Sequence, residues 1–179
     1  MPVEKRPIIG VMGSGSKEWI ELAEPLGCWL AGIGVHLLTG GGAGVMTSVS
    51  RAFAAVQNRK GQILGIIPGD FDGGKIVYKI GYPHPWVEIP IYTHLPLSGI
   101  EGKEPLSRNH INILSSDAIV ALPGGAGTQS EIELAVHYGK PIICFTSSID
   151  LNSSGIRSTD SLDEVKRFVV EVLKSLEKL

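Results

Sequence analysis

Cysteine is scarce in this chain. Cys28 and Cys144 are the only two, each within an apolar stretch, and neither belongs to a C-x-x-C pair. That excludes a disulfide framework and leaves buried, reduced thiols as the expectation. Charge of one sign is lacking as well: 16 Lys and Arg against 18 Asp and Glu leave −2. Without a basic excess there is no broad surface for a phosphate backbone, which argues against a nucleic-acid partner. Nor does any apolar run reach membrane length. The opening MPVEKRPIIGVMG enters a strand-like run within seven residues and has no h-region or cleavage site. The reading is a cytoplasmic protein with no membrane partner.

Several familiar sites are missing too. A dinucleotide fingerprint after the first strand would need a third glycine where Glu18 stands, and an acidic residue where the second strand ends at Thr39. Gly74-Lys75 is followed by Ile76 and Gly139-Lys140 by Pro141, so neither lysine has the hydroxyl neighbour of a P-loop. There is no G-x-S-x-G and no H-E-x-x-H. His36, His84, His94, His110 and His137 show no metal-ligand spacing, so no metal site and no cofactor are expected, and surface or hydrogen-bonded histidines are the reading.

What the chain does have is glycine, 23 residues of 179, gathered after apolar runs. Residues 7–12 read as a strand ending in Gly13-Ser14-Gly15-Ser16, followed by helical spacing over 19–33, with Pro25 forcing a late start or a kink. Residues 35–39 repeat the pattern, with Gly40 to Gly44 and a helix over 45–58. A third strand over 62–67 ends at Pro68-Gly69. Residues 71–85 read as an inserted loop, 86–91 as a strand whose Pro90 suits an edge, and 92–105 as irregular. A helix over 106–114 leads to the strand at Ala118. Residues 141–145 form a further strand, 146–159 a polar and mobile segment, and 162–179 an amphipathic helix capped by Asp160 or Ser161.

Strands alternating with helices predict an α/β fold, a doubly wound parallel sheet in a single domain over 1–179. The glycine turns all follow the carboxyl ends of strands and so share the edge where such sheets bind ligands. The stretch from Ala118 to His137 is the centre of this arrangement. A strand breaks at Pro123, turns through Gly124, Gly125 and Gly127, and restarts as a helix bearing Thr128 and Glu131. Close backbone approach and a helix start suit a phosphate. A plainer reading of Thr128-x-x-Glu131 is a capping box. The candidate cradle is Gly13, Ser14, Gly41, Gly42, Pro123, Gly124, Gly125, Gly127 and Thr128, with Glu131 as its carboxylate and Arg108 as the nearby cation. A carboxylate and an arginine beside a phosphosugar could support glycosidic cleavage. Alternatively, Arg108 is a surface residue or a phosphate clamp.

Pro123-Gly-Gly-Ala-Gly-Thr-Gln-Ser-Glu131 resembles the P-G-G-x-G-T-x-x-E signature of the LOG ("lonely guy") proteins, often mislabelled lysine decarboxylases. Arg108 stands where that family carries an arginine. Residues 39–46 are similar to its G-G-G-x-x-G-x-M loop, one residue shorter. The resemblance implies a Rossmann-like homodimer that hydrolyses nucleoside 5′-monophosphates to base and ribose 5-phosphate. Glu131 and Arg108 would then be catalytic, and Gly124, Gly125, Gly127 and Thr128 would hold the phosphate. It does not call for pyridoxal phosphate. The segment ahead of Arg108 departs from the cytokinin-activating members. Arg108-Asn-His-Ile-Asn-Ile-Leu-Ser-Ser and the opening PIIGVMGSGS are also similar to molybdenum cofactor carrier proteins, which bind a pterin phosphate without chemistry, although those tend to lose the Pro-Gly-Gly that is kept here. The apolar faces around 45–56 and 132–136 suggest the dimer surface.

Overall fold

The run IIGVM becomes β1 (Ile8–Met12), buried from Ile9 onward on both faces, as an interior parallel strand requires. The computed structural model describes residues 5–146 and 156–177. The further strands are β2 (His36–Thr39), β3 (Ile63–Ile67), β4 (Gly69–Asp72), β5 (Lys75–Tyr78), β6 (Ile89–Tyr92), β7 (Ala118–Ala121), β8 (Ile142–Phe145) and β9 (Arg157–Thr159). Seven of them form one parallel sheet in the order β6-β3-β2-β1-β7-β8-β9. Ile9 pairs with Leu37 on one side and Ala118 on the other. The chain therefore moves outward from β1 to β6, then returns to β7 on the opposite flank. That reversal opens a crevice above the carboxyl ends of β1 and β7.

Helices α1 (Ile20–Gly32), α2 (Val45–Ala55) and α5 (Leu162–Ser175) cover one face, where Leu26, Leu30, Val49, Phe53, Val165 and Val169 meet the sheet. Helices α3 (Asn109–Leu114) and α4 (Ala126–His137) cover the other, over Leu38, Ile66, Ile113, Ile119 and Leu134. The doubly wound reading thus holds, with a core on each face of the sheet. Helix α1 begins at Ile20 and runs through Pro25, which lies in its second turn. Gly27 lets α1 and α2 touch: a Cβ there would collide with the Val49 carbonyl oxygen and crowd Ala52 and the Phe53 amide. Ser161, not Asp160, caps α5, its Oγ accepting from the Glu164 amide at 3.4 Å.

Four expectations change. Residues 71–85 are not simply a loop, because β4 and β5 form an antiparallel hairpin with Asp72 opposite Lys75. Its two-residue turn, Gly73-Gly74, has φ of 54° and 82°, as a type I′ turn demands. The strand expected over 86–91 starts later and runs one residue further, as β6, on the sheet edge that Pro90 anticipates. The apolar faces of α2 and α4 are largely covered within this chain, at Val45, Met46, Val49, Ala52 and Phe53 and at Ile132, Leu134 and Ala135, while Val136 stays exposed. Exposed apolar side chains instead gather on the hairpin and β6, among them Phe71, Ile76, Ile91 and Tyr92. Cys28 is exposed, whereas Cys144 is buried and its thiol is pushed up to about 11 by burial. Of the segment read as polar and mobile, residues 147–155 lie outside the described residues, and β9 occupies 157–159. Among the described residues, no helix is long and apolar enough to cross a membrane.

Candidate functional site

Three strand-end turns pack together at the crevice. The Ser14 amide donates to the Pro123 carbonyl at 3.1 Å, and the Val45 amide donates to the Ser14 carbonyl at 2.9 Å, so the β1 turn is stitched to both neighbours. Ser14 Oγ accepts from the amides of Ser16 and Lys17 at 3.2 and 2.9 Å, which closes the turn on itself. Above these turns opens a cleft of about 320 Å³. Of the residues singled out in the sequence, Gly13, Ser14, Arg108, Gly125, Gly127, Thr128 and Glu131 line it.

The start of α4 shows why this turn needs several glycines. Gly125 is the N-cap, in extended conformation with φ −98°, and no side chain caps the helix. Thr128 is the third helical residue, so the capping-box reading of Thr128 and Glu131 fails. The first amides are left to whatever enters the cleft. Gly124 is required by packing, since a Cβ would collide with Thr128 Oγ1 and approach the Ser14 amide nitrogen at 2.9 Å. Gly125 has no such neighbour: a Cβ there would meet nothing within 4 Å, and one on Gly127 would make only ordinary contact with Gly99 at 3.6 Å. At those two positions a side chain would extend into open space at the helix start.

Helix α3 supplies a cation opposite. Arg108 is its N-cap, with helical φ and ψ, and is only 6% exposed. Its guanidinium lies against Gly40, where a Cβ would collide with it. Nη1 reaches Asn109 Oδ1 at 3.4 Å, and the buried Nε has no hydrogen-bond partner among the described residues. Glu131 faces the same cleft, 8% exposed, its Oε1 accepting from Asn112 Nδ2 at 3.1 Å. Burial pushes its pKa up, while the charge of Arg108 and the Asn112 hydrogen bond pull it down less strongly. Asn109 Nδ2 donates to Ser130 Oγ at 3.1 Å, tying α3 to α4.

Gly41, Gly42, Pro123 and Gly124 do not line the cleft; they support it. Gly41 has φ 72°, donates to Thr39 Oγ1 at 3.1 Å and accepts from the His84 amide at 2.9 Å. Gly42 accepts from Thr47 Oγ1 at 3.1 Å through its carbonyl. Sequence reasoning missed Met46, Tyr82, Ser98, Gly99 and Asn109 on the cleft wall and Asn112 behind it. Asn112 carried a signal, since four residues after Arg108 places it one helical turn on. Tyr82 and Ser98 sit in segments without periodicity and carried none. Among the described residues no group of three or more His, Cys, Asp or Glu could hold a metal ion.

The chain as a whole is similar to known proteins. A molybdenum cofactor binding protein from the phototrophic bacterium Rippkaea orientalis is 30% identical, with TM-score 0.72 over 97% of this chain and 99% of that one. The molybdenum cofactor carrier protein of Chlamydomonas reinhardtii is 28% identical, with TM-score 0.70 over 95% and 99% of the two chains. An uncharacterized protein of Archaeoglobus fulgidus is 25% identical over 170 residues, 90% of this chain and 93% of that protein. The model of the SLOG cluster4 family matches residues 6–175, nearly the full length, and the protein belongs to that family.

Proposed function

We propose that the protein binds a phosphorylated pterin of the molybdenum cofactor type in this cleft and carries it without transforming it. The observation that carries this reading is the uncapped start of α4, where Gly125 and Gly127 leave open space, set in one cleft with a buried Arg108 whose Nε has no partner among the described residues. A buried guanidinium N–H without an acceptor is costly, and a phosphate monoester supplies acceptors and charge in the geometry that arginine prefers. The helix amides and the partial positive charge of α4 serve the same anion. Full-length similarity to two proteins described as binding or carrying molybdenum cofactor supports the choice of pterin. Glu131, held by Asn112, then serves as a polar contact for the ligand's ring or hydroxyls.

A second reading, hydrolysis of nucleoside 5′-monophosphates, is favoured by Glu131 sharing the cleft with Arg108 and with an intact Pro-Gly-Gly-x-Gly-Thr-x-x-Glu turn. In that reaction the C1′–N bond breaks, water oxygen adds to C1′, and a water proton leaves with the base. The reaction needs Glu131 ionised beside the developing positive charge, and burial works against that.

One preparation tests both. Protein mixed with cofactor freshly released from a molybdoenzyme is passed through gel filtration, and molybdenum is measured in the protein fraction. The same protein is incubated with AMP, GMP, CMP and N6-isopentenyl AMP, and free base is separated by chromatography. The carrier reading expects retained molybdenum and base release no greater than that of Glu131→Ala. Base release abolished in Glu131→Ala, without retention, establishes the hydrolase instead. A homo-oligomer belongs to either reading, carried by the exposed apolar side chains of the hairpin and β6. A monomer by light scattering at micromolar concentration removes it.

A further inference from the structure

The arm inserted between β3 and β6 reaches the cleft. Its hairpin packs beside β6, with the Tyr78 and Tyr92 ring centroids 4.7 Å apart, and the chain that follows brings Tyr82 to the cleft as the only aromatic residue lining it among the described residues. We propose that Tyr82 is a specificity-determining residue, its ring stacking on a flat heteroaromatic system at the far end of a ligand whose phosphate sits at α4. The inference rests on the phosphate-anchored reading above and adds to it the chemical class of the rest of the ligand.

Placement carries the argument. The anion-suited start of α4, Gly125, Gly127 and Thr128, lies beyond β7, whereas Gly40 with the Arg108 guanidinium against it, Met46 and Tyr82 lie on the β2 side. Both strands flank β1, and a spacing of about 4.8 Å between neighbours puts the two ends of the cleft about 10 Å apart. A ligand held by its phosphate at α4 and lying across β1 delivers its other end to Tyr82.

The ring is seated in advance. Gly42 offers it bare backbone: a Cβ there would stand 2.6 Å from Tyr82 Cζ. Two residues on, the His84 amide donates to the Gly41 carbonyl at 2.9 Å and fastens the arm to the β2 turn. His84 is itself buried, and its Nδ1 accepts from the Trp86 amide at 3.2 Å. An aromatic wall fixed before binding loses little freedom when a ring lands on it. Stacking of this kind favours any planar heterocycle, pterin or purine, and gives nothing to a saturated sugar phosphate.

The test compares two probes, neopterin monophosphate and ribose 5-phosphate, titrated calorimetrically into wild type, Tyr82→Phe, Tyr82→Ala and Gly42→Ala. Wild type and Tyr82→Phe should bind neopterin monophosphate about equally, while Tyr82→Ala loses about tenfold or more on that probe and stays within about twofold on ribose 5-phosphate. Gly42→Ala, which displaces the ring, should lose in the same direction with Tyr82 still present. An unchanged Tyr82→Ala overturns the proposal. So does an equal loss on both probes, which would make the arm a mere support for the β2 turn. If wild type binds ribose 5-phosphate but not neopterin monophosphate, stacking fails and the anchor survives. If it binds neither, the phosphate-anchored reading itself falls.

Discussion

Asn112 Nδ2 donates to Glu131 Oε1 at 3.1 Å, joining α3, which Arg108 opens, to the one carboxyl that lines the cleft among the described residues. The bond fixes the carboxyl without neutralising it, and the Arg108 charge acts on it from the same helix. Burial outweighs both, so the folded protein holds the Glu131 proton more tightly than the unfolded chain does.

That difference sets a pH dependence. With the folded pKa raised above 4.5, this group's contribution to stability is greatest below pH 4.5 and is lost as pH climbs through the folded value. Glu131→Gln keeps the shape and removes the titration. Urea midpoints from pH 4 to 8 should therefore show the variant gaining on wild type as pH rises. Parallel curves would contradict a raised Glu131.

His84 works in the opposite sense. Burial lowers it to about 4 from 6.5, so the folded protein keeps it neutral while the unfolded chain takes up a proton. Its contribution is present above pH 6.5 and lost as pH falls toward 4, roughly 3 kcal/mol over the window. His36, also lowered by burial and then by the charge of Arg6, adds to the same slope. His84→Gln should remove most of the acid loss and leave the His36 share. An unaltered slope would mean that His84 is charged in the folded state.

Gly124 and Gly125 are adjacent and should respond oppositely. Gly124→Ala must displace Thr128 and press on Ser14, a loss of about 1–3 kcal/mol by thermal unfolding. Gly125→Ala meets only open space in an allowed conformation, so stability should change by no more than about 0.5 kcal/mol. Its effect should appear in ligand affinity instead. Equal destabilisation by both would remove the distinction between a glycine kept for packing and one kept for the cleft.

Gly27→Ala separates two physical effects in α1. Helix propensity alone predicts a gain of about 1 kcal/mol. The new methyl would collide with the Val49 carbonyl, which is backbone and cannot rotate away, and overpacking costs about 1–3 kcal/mol. The net expectation is a lower melting temperature, and a rise would show that α1 and α2 can separate without penalty.

The sheet and its ligand-binding edge were legible because β1, β2, β3 and β7 are short apolar runs, each followed within three residues by glycine. The cradle was legible in part. The motif around Pro123 announced a ligand turn, but spacing alone could not divide Gly124, needed for packing, from Gly125, which opens onto the cleft. The capping-box reading failed because Gly125 starts the helix three residues ahead of Thr128. The hairpin was missed although Gly73-Gly74 signals one, because β5 and most of β4 are exposed and show no apolar alternation. With the hairpin, Tyr82 was lost as well, since its place on the cleft depends on how the arm folds back against Gly42.

The most direct test of the central claim is a fluorescence titration with the stable pterin phosphate obtained by oxidising molybdenum cofactor, before and after phosphatase treatment. Wild type and Arg108→Ala are compared. The account predicts that wild type binds the phosphorylated form at least about tenfold more tightly than the dephosphorylated one, and that Arg108→Ala erases most of the difference. Equal affinity of wild type for the two forms would contradict a phosphate anchored between Arg108 and the start of α4.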